Sequence, residues 1–415
     1  MHEGRRSPTR KPRILFIAEA ATLAHVVRSV ALATTLDAGR YEVGFATARD
    51  FRAHAEAAGL AVRELYSIGT RAYLDAVSAG RPVYPYATLE RYVEDDLRVI
   101  AEFEPDLIVG DFRLSLAVSA RLAKTPYLAI SNAYWSPLAD APYEVPVHAA
   151  TRMFGPRIVG AAFDALRPLI IAQHAWPMRR LRRRHGMPSL GLDLRAVFTE
   201  GDTTLFADVP AMVPTAAAAS AARYRYIGPV VWSPPAPLPE GLDGADGRPL
   251  VYVSLGSSGD PAALGLVVDA VVACGARAVV AAPSGWTHRH GDAVVARSVL
   301  PGSELAARAK VVVCNGGSPG SHQALEQGTP VLGIPANLDQ LLNMRYLVRS
   351  GAGLSVRADE LSPAALQASL RRLLSEPAFG DRARAVQREF AHYPARELFP
   401  AVVDTMLGPA SGART

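Results

Sequence analysis

Between Val311 and Gly320 the chain reads VVVCNGGSPG: a β-branched run breaks into a turn of Asn315, Gly316, Gly317, Ser318, Pro319 and Gly320. Glycines at this spacing let bare backbone N–H groups approach a ligand that side chains would otherwise hold off. An amphipathic segment, Ser321 to Gln327, follows directly. The first turn of a helix there offers unpaired N–H groups and the positive end of the helix dipole, which together suit a phosphate. The turn therefore predicts an anion site. A second apolar strand, Val331 to Ile334, leads to Asp339 and Gln340, with Asn343 one helical turn further on the same face. Taken alone, an Asp-Gln pair at a helix start is more often a cap than a ligand.

Several chemistries lack their signatures. No G-x-x-x-x-G-K-[ST] run occurs, which argues against a Walker-type NTPase, and no G-x-S-x-G elbow occurs. The first strand runs into AEAATLAH rather than G-x-G-x-x-G, against a dinucleotide-dependent oxidoreductase. His288 and His290 form an H-x-H without a second ligand pair nearby, a weak metal signal.

Short apolar runs alternate with helical patterns along the whole chain. In the first half the strands are Arg13 to Ala18, Tyr41 to Thr47, Leu60 to Glu64, Asp106 to Val109 and Tyr127 to Ile130; the second half restarts at Leu250 to Leu255 and Ala278 to Ala282. Strands alternating with helices predict parallel, doubly wound sheets. Between the halves, SPPAPLPEGLDGADG (Ser233 to Gly247) cannot build a core and reads as a linker. The expected organisation is a disordered basic arm (1–12), an N-terminal α/β domain (13–227), the linker (228–247), and a C-terminal α/β domain (248–390). A C-terminal helix and tail (391–415) would pack back on the N-terminal domain. Two such Rossmann-like halves face each other across a ligand cleft at the carboxyl ends of their strands.

Composition narrows the setting. The 415 residues are 49% hydrophobic and 20% charged, with a formal net charge of +5. No stretch of about 18 uncharged apolar residues occurs, and the basic, polar start before Ile14 lacks a signal-peptide core. With only two cysteines, Cys274 and Cys314, a disulfide framework is absent and a reducing cytoplasm is the default. No aromatic-rich basic stripe is present, so no nucleic acid is expected. The run Met178 to His185, MRRLRRRH, reads two ways. Arg179, Arg180, Arg182, Arg183 and Arg184 would suit peripheral contact with the inner membrane. As an ordinary solvated helix face, the favoured reading, they need nothing further.

The strongest match to a known pattern is Val313 to Asn343, NGGSPGSHQAL…GTPVLGIPANLDQLLNM, which is similar to HGGxG(S/T)xxEAL…GVP…P…DQxxNA. Supporting matches are VYVSLGS (Val251 to Ser257), VLPGSEL (Val299 to Leu305), YIGP (Tyr226 to Pro229), Leu23-Ala24-His25 and PDLIVGD (Pro105 to Asp111). The chain thus resembles the two-domain GT-B glycosyltransferases, specifically the bacterial type of the UDP-glycosyltransferase superfamily, which glycosylates small molecules and lipids. The resemblance implies that His25 is the general base for an acceptor hydroxyl and that Asp111 orients it. It places Asn315, Gly316, Gly317, Ser318 and Ser321, with Ser257 and Ser258, on the donor diphosphate. It assigns Asp339 and Gln340 to the donor sugar, and Val299 to Pro301 to the donor base. Tyr134 and Trp135, with Tyr66 to Tyr86, would line the acceptor side. The implied reaction is an inverting, metal-independent transfer from a UDP- or dTDP-sugar, a co-substrate, with no cofactor.

This sequence departs from the pattern where it matters most. The phosphate-contacting His is Asn315, the ribose-binding Glu is Gln323, and Pro319 replaces a motif glycine. Asn donates a hydrogen bond but carries no charge. The departures keep two rivals in view: a nucleotide-sugar epimerase of the same fold, and a catalytically silent ligand-binding homologue.

Overall fold

The computed structural model of the chain describes residues 10–140, 143–216, 223–240, 242, 247–256 and 261–408. Two parallel sheets form its layers. The first holds β1 (Arg13–Ala18), β2 (Glu42–Thr47), β3 (Ala61–Glu64), β4 (Leu107–Asp111), β5 (Tyr127–Ser131), β6 (Thr203–Phe206) and β7 (Tyr224–Tyr226), in the order β3-β2-β1-β4-β5-β6-β7. The second holds β8 (Leu250–Ser254), β9 (Arg277–Ala281), β10 (Val294–Arg297), β11 (Val311–Cys314), β12 (Val331–Gly333) and β13 (Gly353–Ser355), in the order β10-β9-β8-β11-β12-β13. Their central strands are buried on both faces (β4, β5 and β11 throughout), which is why they read as continuous apolar runs rather than alternating ones. The short strands β10 and β13 escaped the sequence reading because three or four residues carry too little periodicity.

Strand order reverses between β1 and β4, and again between β8 and β11, and ligands bind at such switch points. In the first sheet Ala18 pairs with Asp111, so β1 and β4 end together. The helix Leu23–Ala33 starts just beyond, over the end of β4. In the second sheet β11 ends at Cys314 and delivers the Asn315 turn to the edge of the facing cleft.

The linker is pinned at Gly228, where φ is +82° and a Cβ would fall 1.9 Å from the Tyr393 carbonyl oxygen, so only glycine fits. The C-terminal helix Ala395–Leu407 buries Phe399, Val402 and Val403 against Ile14, Phe16 and Val26 of the first domain. Asp404 accepts a hydrogen bond from Tyr41 and pairs with Arg40 at 2.8 Å. The expected disordered arm falls mostly outside the described residues; within them Arg10 pairs with Asp106 at 2.9 Å and Lys11 donates to the Ala38 carbonyl. The segment from Val147 to His185 forms two helices, Ala149–Phe154 and Pro156–Arg184, broken at Gly155 with φ +80°.

Candidate active site

A cleft of about 1070 Å³ lies between the sheets and is lined from both. On the first-domain side, His25 sits in the opening turn of Leu23–Ala33 with its side chain 19% exposed. Its Nδ1 lies 2.9 Å from Asp111 Oδ1, which leaves Nε2 for a group in the cleft. Asp111 is fully buried, and Arg28, one helical turn after His25, grips both its oxygens: Nε donates to Oδ2 and Nη2 to Oδ1, each at 2.6 Å. Burial alone would raise the Asp111 pKa, but the Arg28 guanidinium, with His25, holds it below the ordinary carboxylate value. The carboxylate is therefore ionised and can fix the imidazole tautomer. Phe112 stacks under the His25 ring at 4.6 Å and 20°. Its φ of +56° is a left-handed conformation that costs a side-chain-bearing residue about 1 kcal/mol or more. The chain holds that strain where it shapes the wall beneath the imidazole.

On the second-domain side, Gly316 takes φ +82° with Met344 packed where a Cβ would go. Asn315 Oδ1 accepts from Gly317 N at 3.0 Å, closing the turn on itself. The helix Ser318–Glu326 begins at once, and its first-turn N–H groups have no intrahelical acceptor. Pro319 removes one of them, so Ser318 and Gly320 carry the donors there. Asn315, Gly317, Ser318, Gly320 and Asp339 line the cleft, as do Val299, 57% exposed, and Gln340. Asp339 Oδ1 accepts from Tyr134 OH at 3.1 Å and from Trp135 Nε1 at 2.8 Å, tying the domains together and leaving Oδ2 for a ligand.

Other expected site residues sit differently. Ser321 is fully buried; its hydroxyl donates to the Gly317 carbonyl and accepts from Asn343 Nδ2, so it orders the turn from behind. Asn343 also donates to the Gly316 carbonyl at 2.7 Å. Gln340 forms a capping box with Asn337: its Oε1 accepts from Ala336 N at 2.8 Å and Asn337 N at 3.3 Å, which commits that oxygen to the backbone. Gln323 donates to the Trp232 carbonyl and to Ser303 Oγ. Tyr134 is fully buried and reaches Asp339 rather than the cleft, whereas Trp135 does line it. Within the aromatic span Tyr66 to Tyr86, Tyr73 and Tyr84 line the cleft. Ser257 and Ser258 lie outside the described residues.

Arg182 does not belong to a surface patch. It is 2% exposed and donates to the carbonyls of Ala117 and Pro188. His290 of the H-x-H pairs with Asp269 at 2.6 Å, and among the described residues no three His, Cys, Asp or Glu side chains converge.

Sequence reasoning missed the buried polar layer joining the two halves. Arg28 Nη1 donates to Asn132 Oδ1 at 2.9 Å, and Asn132 Nδ2 donates to Asp208 Oδ2 at 3.2 Å. Asp208 Oδ1 faces His322 Nε2 at 3.5 Å, neither of them hydrogen-bonded. Burial pushes the Asp208 carboxyl up to about 6, and burial, with Arg28, pushes the His322 imidazole down to about 3. The Asp208 pKa is raised on folding, so its favourable contribution is full below about pH 4 and is lost as pH rises through 6. Asp208→Asn is accordingly expected to leave the melting temperature unchanged at pH 4 and raise it at pH 8, by up to about 3 kcal/mol in stability. Equal shifts at both pH values would show that the carboxylate charge is not the cause.

Residues 266–404 match the family model described as Erythromycin biosynthesis protein CIII-like, C-terminal domain. The chain is 43% identical over 402 residues to a "PGL/p-HBAD biosynthesis glycosyltransferase" of Mycobacterium tuberculosis, covering 96% of this chain and 92% of the relative. It is 43% identical over 404 residues to a "PGL/p-HBAD biosynthesis rhamnosyltransferase" of Mycobacterium bovis, covering 96% and 88%. An "Inactive PGL/p-HBAD biosynthesis glycosyltransferase" of the same species is 45% identical over 263 residues, 63% of this chain and 71% of the relative. Among solved structures, "Spinosyn Rhamnosyltransferase SpnG complexed with thymidine diphosphate" superposes with a TM-score of 0.70 at 20% identity, covering 95% of this chain and all of that one.

Proposed function

Because the chain belongs to the family of the PGL/p-HBAD biosynthesis glycosyltransferases, we propose that it moves a deoxyhexose, rhamnose first, from a dTDP- or UDP-activated donor to a hydroxyl of an apolar acceptor. One observation carries this reading: the His25–Asp111–Arg28 relay opens on the same cleft as the Asn315 turn and Asp339. In the proposed step the acceptor hydroxyl sits against Nε2 of neutral His25. Its oxygen attacks the anomeric carbon from the face opposite the diphosphate as the imidazole takes the proton, and the bond from that carbon to the diphosphate oxygen breaks. The configuration inverts. Asp111, kept ionised by Arg28, stabilises the imidazolium that forms. The electron pair departs with the diphosphate, whose charge meets the N–H groups of Ser318 and Gly320 and the helix dipole behind them. No metal is assigned to the step.

The walls around His25 support an apolar acceptor. Leu23, Val27, Tyr84, Phe112, Leu114 and Phe198 present an apolar pocket with few polar groups, which suits a hydrophobic body carrying one reactive hydroxyl. The relative named inactive makes silence the second reading. The intact pairing of His25, Asp111 and Arg28 favours an active transferase here.

Calorimetry against UDP-, dTDP- and GDP-sugars tests the donor half. Asp339→Ala is expected to weaken sugar-nucleotide binding about tenfold, the worth of a charged hydrogen bond, with free-nucleotide binding nearly unchanged. Equal losses would remove its role as a sugar contact, and a wild-type protein that binds no sugar nucleotide would be the silent homologue.

A further inference from the structure

Of the large hydrophobic side chains exposed among the described residues, Met153, Phe154, Ile158, Leu166, Leu169 and Trp176 cluster on two consecutive helices, Ala149–Phe154 and Pro156–Arg184. Single exposed apolar residues are ordinary, but a contiguous set marks an interaction face. Ile158, Leu169 and Trp176 are 70%, 71% and 52% exposed, and their spacings of 11 and 7 residues are whole numbers of helical turns, so they form one stripe. Arg180 and Arg183 continue that stripe at the next turns. Arg179 lies over the Trp176 ring at 5.6 Å, Arg180 over Tyr86 at 4.2 Å, and Arg184 pairs with Glu90 at 3.3 Å. The opposite face of the same helix faces the cleft through Phe163, Ile170, Ile171 and Met178.

Aliphatic side chains, then a tryptophan, then guanidinium groups reproduce the polarity profile from acyl chains to headgroup phosphates. No helix among the described residues is long and apolar enough to cross a membrane, so this order fits a surface contact. Pairing two copies of the chain would press arginines against arginines or onto Ile158 and Met153, which charge disfavours.

We propose that the stripe from Met153 to Arg183 docks the protein on an anionic phospholipid bilayer, placing the helix between the membrane and the cleft. It rests on the reading of an apolar acceptor: an acceptor dissolved in the bilayer enters along the Phe163–Met178 face without crossing water. The arginines dock by phosphate pairing and the apolar stripe by shallow burial, so binding needs both.

Flotation with phosphatidylcholine vesicles, with and without about one-third phosphatidylglycerol, tests this. The full chain is expected to float with the anionic vesicles, to stay behind with the neutral ones, and to be released by high salt. Leu169→Glu with Trp176→Glu abolishes flotation, and Arg179→Glu with Arg183→Glu weakens it at least about 20-fold. Melting temperatures confirm that the variants fold. Turnover of a water-soluble short-chain acceptor is unchanged in all of them, while turnover of a vesicle-embedded acceptor falls. The proposal is overturned if the wild-type chain ignores anionic vesicles or binds neutral ones equally. It is also overturned if the variants float as the wild type does, or if sedimentation shows a wild-type dimer that Leu169→Glu dissociates. Should the wild type glycosylate no acceptor at all, the functional reading fails, and flotation still decides the docking.

Discussion

His25→Ala lowers turnover by about 10³-fold, the usual worth of a positioned general base, and leaves sugar-nucleotide affinity within about twofold. The size follows from the chemistry: an undeprotonated hydroxyl is a poor nucleophile, and among the described residues no other histidine lining the cleft pairs with a carboxylate. Selectivity for turnover over binding follows from geometry, because the donor turn at Asn315 belongs to the other sheet. The fold survives, since Asp111 keeps both Arg28 contacts when the imidazole is gone. Rapid-quench turnover beside donor calorimetry checks both halves. Unchanged turnover removes the base assignment, and a matching loss of donor affinity turns His25 into a binding residue.

Asp111→Asn is expected to lose turnover by about 10³- to 10⁴-fold and, unlike the first variant, to lose stability as well. The amide no longer selects the tautomer with the proton on Nδ1 and no longer compensates the imidazolium. It also leaves the buried Arg28 guanidinium without its counter-charge, which costs about 3–5 kcal/mol when one partner of a buried pair is removed. The native carboxyl has a pKa below its ordinary value of 3.8. Its contribution is therefore fully present above about pH 4 and disappears as pH falls further. Denaturant melts at pH 7 and pH 3 should differ less in the variant than in the wild type. A variant as stable as the wild type at pH 7 would mean that Arg28 finds other partners.

What the sequence made legible is local. The turn at Asn315 could be read because a β-branched run, consecutive glycines and a helix start are contiguous, and backbone chemistry at such a junction depends on neighbours alone. The two parallel sheets were legible for the same reason, through their buried Val- and Ile-rich strands. Asn337 followed three residues later by Gln340 carries a capping signature that foretells the box found there, whereas the family pattern places Gln340 on the sugar. Tyr134 and Trp135, adjacent in sequence, suggest one role; in a single tight turn they share Asp339, and of the two Trp135 also reaches the cleft. Arg28 was illegible because arginines on amphipathic helices are mostly solvated. Its burial depends on Asp111, Asn132 and Asp208, which lie far along the chain. Arg182 misled for the converse reason: five arginines in six residues look alike until the helix is wound and one of them faces Ala117 and Pro188. Long-range polar layers are set by topology, and periodicity does not encode them.

The central claim is that one cleft unites a base and a diphosphate-binding turn for glycosyl transfer. The measurement that bears on it most directly quantifies, in a single quenched reaction with a dTDP-sugar and an apolar hydroxylated acceptor, the glycoside formed and the nucleoside diphosphate released. The account predicts equal amounts of the two, a product anomer inverted relative to the donor, and essentially none of either with His25→Ala. Nucleotide released without glycoside, or a sugar nucleotide returned with an altered stereocentre, would contradict it.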